Sequence, residues 1–287
     1  MIDTGTGLTA LGLALGGKDI VLKLLGPTAE YIGEGAKDFT QKRFENVKNI
    51  FSNFHKKVGD GINDETKSVS PKVLRGILDD GSYASDTLSF EYFGGVLASS
   101  RTGISRDDRG AYFVALISRL STYQLRTHYL FYHCLKNHFD GQDINIGDGN
   151  SWGNLELFVS METYYHAMDF TEEENKNWTN LLAHSVWGLN KEDLLTHFRY
   201  GNQEFIKKQF DQATEAGILF QPTKLGVELF MWAYGQGQLE SNHFFDKQIV
   251  FTNEQEIKIG KSFSTKAEKE LAEKAMQLER EQNKINK

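Results

Sequence analysis

The chain has 287 residues, three prolines, one cysteine and a formal net charge of −7. A single cysteine, Cys134, excludes an internal disulfide and any all-cysteine metal cluster, and it suits a reducing compartment, the cytoplasm. The acidic balance excludes a general attraction to nucleic acid or anionic lipid, so binding of either would need a local patch.

So few prolines favour long helices, and the expected fold is mainly α. Four segments are expected: a Gly-rich N-terminal segment (1–35), a helical core (36–137), a helical region with a winged-helix-like end (138–263) and a charged helical tail (264–287). No charged n-region precedes the first apolar residues, so no secretory leader is expected. The run "LTALGLALGG" (8–17) is half the roughly 20 residues that a spanning helix needs. Leu8, Leu11, Leu15, Ile20, Val21, Leu24 and Leu25 alternate there with Gly12, Gly16 and Gly17. Small residues permit close packing on the protein's own body, on a second subunit or at a membrane surface, so 8–25 is an expected contact segment.

From Lys37 to Val58 the residues Phe44, Val47, Phe51, Phe54 and Val58 draw one helical stripe. Lys42, Arg43, Lys48, Lys56 and Lys57 mostly fall outside it, as a solvated face or as a contact for phosphate or a partner. After a polar connector (59–68), Ser70-Pro71 opens a helix with Val73, Leu74, Ile77 and Leu78 on one face, and Gly81 stops it. Asp86 caps the next helix, whose Leu88, Tyr92, Phe93, Val96 and Leu97 turn inward. Gly94-Gly95 in its interior predicts the close approach of another helix. Asp107-Asp108 opens a helix bearing Phe113, Leu116, Ile117 and Leu120, and the capping box "STYQ" (121–124) separates it from one reaching about Asn137.

A loop spans 138–153, and "NLELFVSMETYYHAMDF" then resumes helical spacing. "TEEE" (171–174) is a second capping box, before a helix with Trp178, Leu181, Leu182 and Val186. A helix over about 202–216, a β run at 218–221 and a helix capped by Thr223 predict the winged-helix-like end, and "KQIVFT" (247–252) an edge strand. In the tail Leu271, Leu278 and Ile285 lie seven apart on a charged helix, a frayed end or a weak coiled coil.

"GNSWG" (149–153) has the spacing of a nucleophile elbow at Ser151. Asp169, Asp193, His197 and His243 follow in an order that could complete a triad. The preceding "FDGQDINIGD" lacks the apolar run of a buried parallel strand, so the reading is a loop in which Ser151 or Asn154 caps the next helix. Asp143, Asn145, Asp148, Asn150 and Glu156 offer oxygen ligands, but an EF-hand aligned from Asp143 has Asp148 where glycine must turn. His128, His133 and His138 step about 140° round a helix each time and do not converge. Glu162 and His166 supply only two ligands, and Cys134 reads as a buried, inert thiol. No catalytic, metal or cofactor residue is therefore expected. The 202–217 segment carries Lys207 and Lys208 but also Glu204, Asp211 and Glu215, which suits a protein–protein module better than a DNA-reading helix.

Three stretches from Gly26 to Leu120 carry a resemblance: "LGPTAEYIGEGAKD", "KRFENVKNIFSNF" and "SVSPKVLRGILDDGSYASDTLSFEYFGGVLASS". In this order they resemble the Abi-alpha (abortive infection alpha) family of bacterial proteins, with Tyr92 or Phe93 at the family's tryptophan and "GVLA" at its closing motif. "FVALISRLSTYQLRTHYLF" and "AGILFQPTKLGVELFMWA" look like its later units, so about two thirds of the chain is covered. The resemblance implies phage defence and no particular chemistry. The expectation is a non-enzymatic component acting through a protein partner or homo-oligomer, without cofactor, with membrane contact through 8–25. The alternative is a nucleic-acid-binding component using Lys42, Arg43, Lys48, Lys56 and Lys57, and the third reading is a hydrolase centred on Ser151.

Overall fold

The computed structural model describes residues 34–148, 151, 155–251, 257, 259–260 and 262–285. The expectation for 8–25 lies outside them, as do those resting on Asn150 and Asn154. Helices dominate, and strands are few and short. The chain divides into two units: one runs to Thr122 and takes in Trp232–Gln238, and the other comprises Tyr123–Met231 and Leu239 onward.

In the first unit, α1 (Glu34–Val58), α2 (Pro71–Asp79), α3 (Thr87–Ser99) and α4 (Gly110–Arg119) surround a core of Ile50, Ile77, Tyr92, Val96 and Leu116. A short antiparallel pair, β1 (Ser68–Val69) with β2 (Arg101–Thr102), closes the connector. Asp86 caps α3 by accepting from the Ser89 N–H at 2.8 Å. Gly94 is the contact point with α1: a Cβ there would lie 2.8 Å from the Ile50 carbonyl oxygen and 2.7 Å from Asn53 Cβ. At Gly95 a Cβ would fall 1.6 Å from the Ala233 carbonyl oxygen, so only glycine admits that return segment. Ser99 fixes the same segment, its hydroxyl donating to the Trp232 carbonyl and accepting from the Gly237 N–H, both at 3.0 Å.

The buried line on α1 differs from the expected stripe. Asn46, Val47, Ile50 and Phe54 are buried, whereas Phe44, Phe51 and Val58 are only half-buried. A hydrophobic pattern cannot see Asn46, which faces inward because its amide donates to the carbonyls of Ser82 and Ala84, each at 2.8 Å. The contact line is thereby rotated, and Ile50 lies at its centre.

In the second unit, α5 (Thr122–Phe139) begins beyond Ser121, where the separation of two helices was expected. It is buried almost all round, as befits a central helix. Around it lie β3 (Leu157–Ser160), α6 (Met161–Met168), α7 (Glu172–Asn175), α8 (Trp178–Lys191), β4 (Leu195–Gly201), α9 (Gln203–Lys207), β5 (Gly217–Pro222), α10 (Lys224–Ala233), β6 (Ser262–Ser264) and α11 (Thr265–Ile285). The last two residues of α10 belong to the first unit. The sheet is antiparallel, in the order β4-β5-β3-β6. Phe131 of α5 stacks on Phe220 of β5 at 4.2 Å, while Phe158, Ile206, Phe210, Ala213 and Leu219 form a separate cluster.

Four expectations are corrected here. The run "LFVS" is the inner strand β3 and not helix; all four residues are buried, and a short, wholly buried segment has no periodicity to distinguish strand from helix. The helix expected over 202–216 is only α9, because Phe210 and Ala213 leave the helical path to enter the cluster around Phe158. Residues 247–251 form no strand; β6 holds the sheet edge beside β3. The capping box at Thr171 and Glu174 is formed, yet it opens the four-residue α7, and α8 starts separately at Trp178. No helix among the described residues is long and apolar enough to cross a membrane.

Candidate functional site

Ser151 is preceded by irregular chain (140–148), its N–H donates to the Asp148 carbonyl at 2.9 Å, and the next described strand, β3, follows it. Among the described residues no strand leads into the serine, so the strand that a nucleophile elbow needs is not found there. Ser151 itself has helical backbone, and the residues between it and Leu155 lie outside the described ones. Asp169, Asp193 and His197 adopt left-handed backbone conformations, with φ of 50°, 57° and 44°. They mark the end of α6, the turn after α8 and a bulge in β4. His243 pairs with Asp246 at 2.8 Å, three residues on in a half-exposed turn.

The oxygen-rich loop is occupied with itself. Asn145 Oδ1 accepts from the Gly147 N–H at 2.9 Å, and Glu156 accepts from the Thr265 hydroxyl at 3.0 Å. Among the described residues no three His, Cys, Asp or Glu side chains form a group that could hold a metal ion. His166 and Glu162 are an exposed pair at 3.8 Å.

The histidines of α5 find three different partners. His128 Nε2 meets the Gly226 carbonyl at 3.1 Å, and His133 packs edge-on to Phe230 at 5.1 Å. His138 Nε2 accepts from the Ser264 N–H at 3.2 Å. Burial pushes His128 down to about 3 and His133 down to about 4, so both stay neutral near pH 7. It pushes the Cys134 thiol up to about 12, which leaves almost no thiolate.

Two polar constellations are invisible in the sequence. Glu91, fully buried on α3, accepts from Lys57 Nζ at 3.2 Å, and the ammonium lies 4.6 Å from the Tyr234 ring centroid. In the other unit, buried Tyr132 donates to the Leu194 carbonyl at 2.6 Å and accepts from the Thr223 N–H at 3.2 Å. Thr223 caps α10 through the Gly226 N–H, and a Cβ on Gly226 would come 1.8 Å from the tyrosine oxygen. Only a charged residue at an apolar helix position, Glu91 in "SFEYFGG", hinted at the first pair.

The basic residues of α1 do not share one surface. Arg43 donates to the Ser82 hydroxyl at 3.0 Å and lies 4.2 Å from the Tyr83 ring centroid, while Lys57 is turned to Glu91. Lys42, Lys48 and Lys56 are exposed. At about 100° per residue these three fall within one arc of some 120°, from which Arg43 and Lys57 are turned away.

The helix α11 is different in kind. Its base is fastened to the sheet: Thr265 N–H donates to the Glu156 carbonyl at 3.2 Å, and β6 leads directly into it. Residues 273–278 are all exposed, including Met276 at 58% and Leu278 at 59%. A helix of 21 residues extends about 32 Å. Comparison of the chain with protein-family models, with curated proteins and with solved structures finds no match to any of them.

Proposed function

We propose that this chain is a non-enzymatic protein that works by association, assembling with a second copy of itself through α11 within a bacterial anti-phage response. The observation that carries the association is Leu278, held open to solvent on a long charged helix whose base is tied to the sheet. Leu271, Leu278 and Ile285 recur every seven residues with Ala275 between, the seam of a coiled coil. Isolated helices are marginal in water, and one with a heptad seam gains stability by packing on an identical helix. The anti-phage setting rests on the sequence resemblance to Abi-alpha proteins.

A DNA-reading wing finds less support, because its recognition helix would be the five-residue α9. The test is phage challenge of cells carrying the full chain or a chain ending at Ser264. The full chain is expected to protect, and the truncated one to keep a cooperative melting transition but lose protection. Full protection by the truncated chain refutes association through α11, and no protection by either chain refutes the anti-phage setting.

A further inference from the structure

His138, in the last turn of α5, is a titratable group placed across the joint between that helix and β6. It is half-buried, and its Nε2 accepts from the N–H of Ser264, the last residue of β6, at 3.2 Å. β6 is an edge strand, with β3 on its inner side. The next residue, Thr265, sends its N–H inward to the Glu156 carbonyl. N–H groups alternate sides along an antiparallel strand, so that of Ser264 points outward, on the side where the sheet ends. The ring nitrogen of His138 receives it there. Cys134, one turn earlier on α5, hydrogen-bonds the Ser262 side chain, so α5 meets β6 at both ends of the strand.

Burial holds the titration of His138 below the usual 6.5, against the opposing pull of the Glu268 carboxylate on α11, so the ring is neutral at pH 7. The other charges near this joint have partners. Lys136 and Asp140, at the end of α5, pair with one another, and Lys136 also donates to the Asp246 carbonyl. On the side of β3 the Glu156 carboxylate accepts from the Thr265 hydroxyl.

We infer that His138 is a proton-operated latch: the neutral ring fastens β6, and with it the base of α11, to α5, and the protonated ring lets it go. A neutral imidazole has one nitrogen able to accept a hydrogen bond, and an imidazolium has none. Protonation sets an N–H against the Ser264 N–H, so a buried backbone donor loses its acceptor. β6 runs directly into α11, and the first turn of that helix loses its footing with the strand. Helices are marginal in water because their nucleus is costly, and an anchored first turn supplies that nucleus. The regulation rests on the reading of α11 as the assembly helix: association is tight near pH 7.5 and weakens as the pH falls below 6.5.

The latch itself is read at the Ser264 amide of the full chain, as a hydrogen-exchange protection factor between about pH 8 and pH 5. Protection should be level down to about pH 6.5 and then fall by up to about tenfold per pH unit, because the opened joint binds a proton that the closed joint refuses. His138→Gln keeps an acceptor in place but takes up no proton, so protection should stay high and lose that slope. His138→Phe removes the acceptor, and protection should be low at every pH. A slope that persists in His138→Gln, or wild-type protection in His138→Phe, overturns the latch. Should His138→Phe fail to fold, the comparison of wild type with His138→Gln decides. Sedimentation equilibrium at pH 7.5 and 5.5 reads the regulation. The dissociation constant of the wild-type assembly should rise several-fold at the lower pH, and that of His138→Gln should not change. Assembly indifferent to pH while the amide responds refutes control of α11 by the latch. A chain that stays single at both pH values refutes association through α11, and the Ser264 amide then still decides whether the latch exists.

Discussion

The two units bury polar groups by opposite means. The first places a charged pair, Lys57 and Glu91, inside and brings backbones together at Gly94 and Gly95. Around its central helix the second relies on neutral groups: His128, His133 and Tyr132 remain uncharged near pH 7 and spend their polar atoms on carbonyls or pack among rings, while the buried Lys136, at the helix end, donates to the Asp246 carbonyl and pairs with the more exposed Asp140. Losing Lys57 therefore removes the countercharge of a buried carboxylate in the first unit, whereas losing the Tyr132 hydroxyl leaves unsatisfied dipoles in the second. Acid should threaten the second through its histidines.

The sharpest way to break this contrast is Gly95→Leu. The carbonyl of Ala233 leaves no room for any Cβ, so the expected loss is about 5 kcal/mol or failure to fold, read by chemical denaturation. Gly61→Ala is the control, since its Cβ would meet only Val58 Cγ1 at 3.5 Å, and it should alter stability by less than about 0.5 kcal/mol. If both substitutions behave alike, close approach does not organise the first unit. Lys57→Met should cost about 3 kcal/mol by removing the ammonium that faces the buried Glu91 carboxylate. Adding Glu91→Leu should recover part of that loss, and an additive double variant would show that the pair is not coupled.

For the second unit Tyr132→Phe should cost about 2 kcal/mol, because the Leu194 carbonyl and the Thr223 N–H lose their shared partner. Acid titration tests the same unit without a substitution. His128 and His133 titrate near 6.5 when unfolded but near 3 and 4 when folded, so below pH 6.5 the unfolded chain binds more protons. Stability should be flat from pH 7 to 8 and fall by about 1.4 kcal/mol per pH unit for each histidine as the solution is acidified towards pH 4. His133→Phe should remove one of the two contributions; an unchanged slope would mean that His133 is not held neutral.

Legibility in the sequence followed the same division. Helix boundaries at Pro71, Asp86 and Ser121 could be read because caps, prolines and 3–4 spacing are local signals. Gly94-Gly95 announced a close approach, and the fold supplies two. Strand β3 could not be read, since its residues are apolar on both faces and the strands that pair with them lie 50 or more residues further on. Asn46 and Glu91 turn inward only because of partners about 35 residues away, which no window on the sequence contains.

The most direct test of association through α11 is sedimentation equilibrium of the full chain over a wide concentration range, beside Leu278→Asp. The account predicts that the wild-type mass rises with concentration from 32.6 kDa towards twice that value. The variant should stay at the single-chain mass with an unchanged melting temperature, because Leu278 is 59% exposed and carries no core packing. A wild-type chain that remains at the single-chain mass throughout, or an assembly that Leu278→Asp leaves intact, would contradict it.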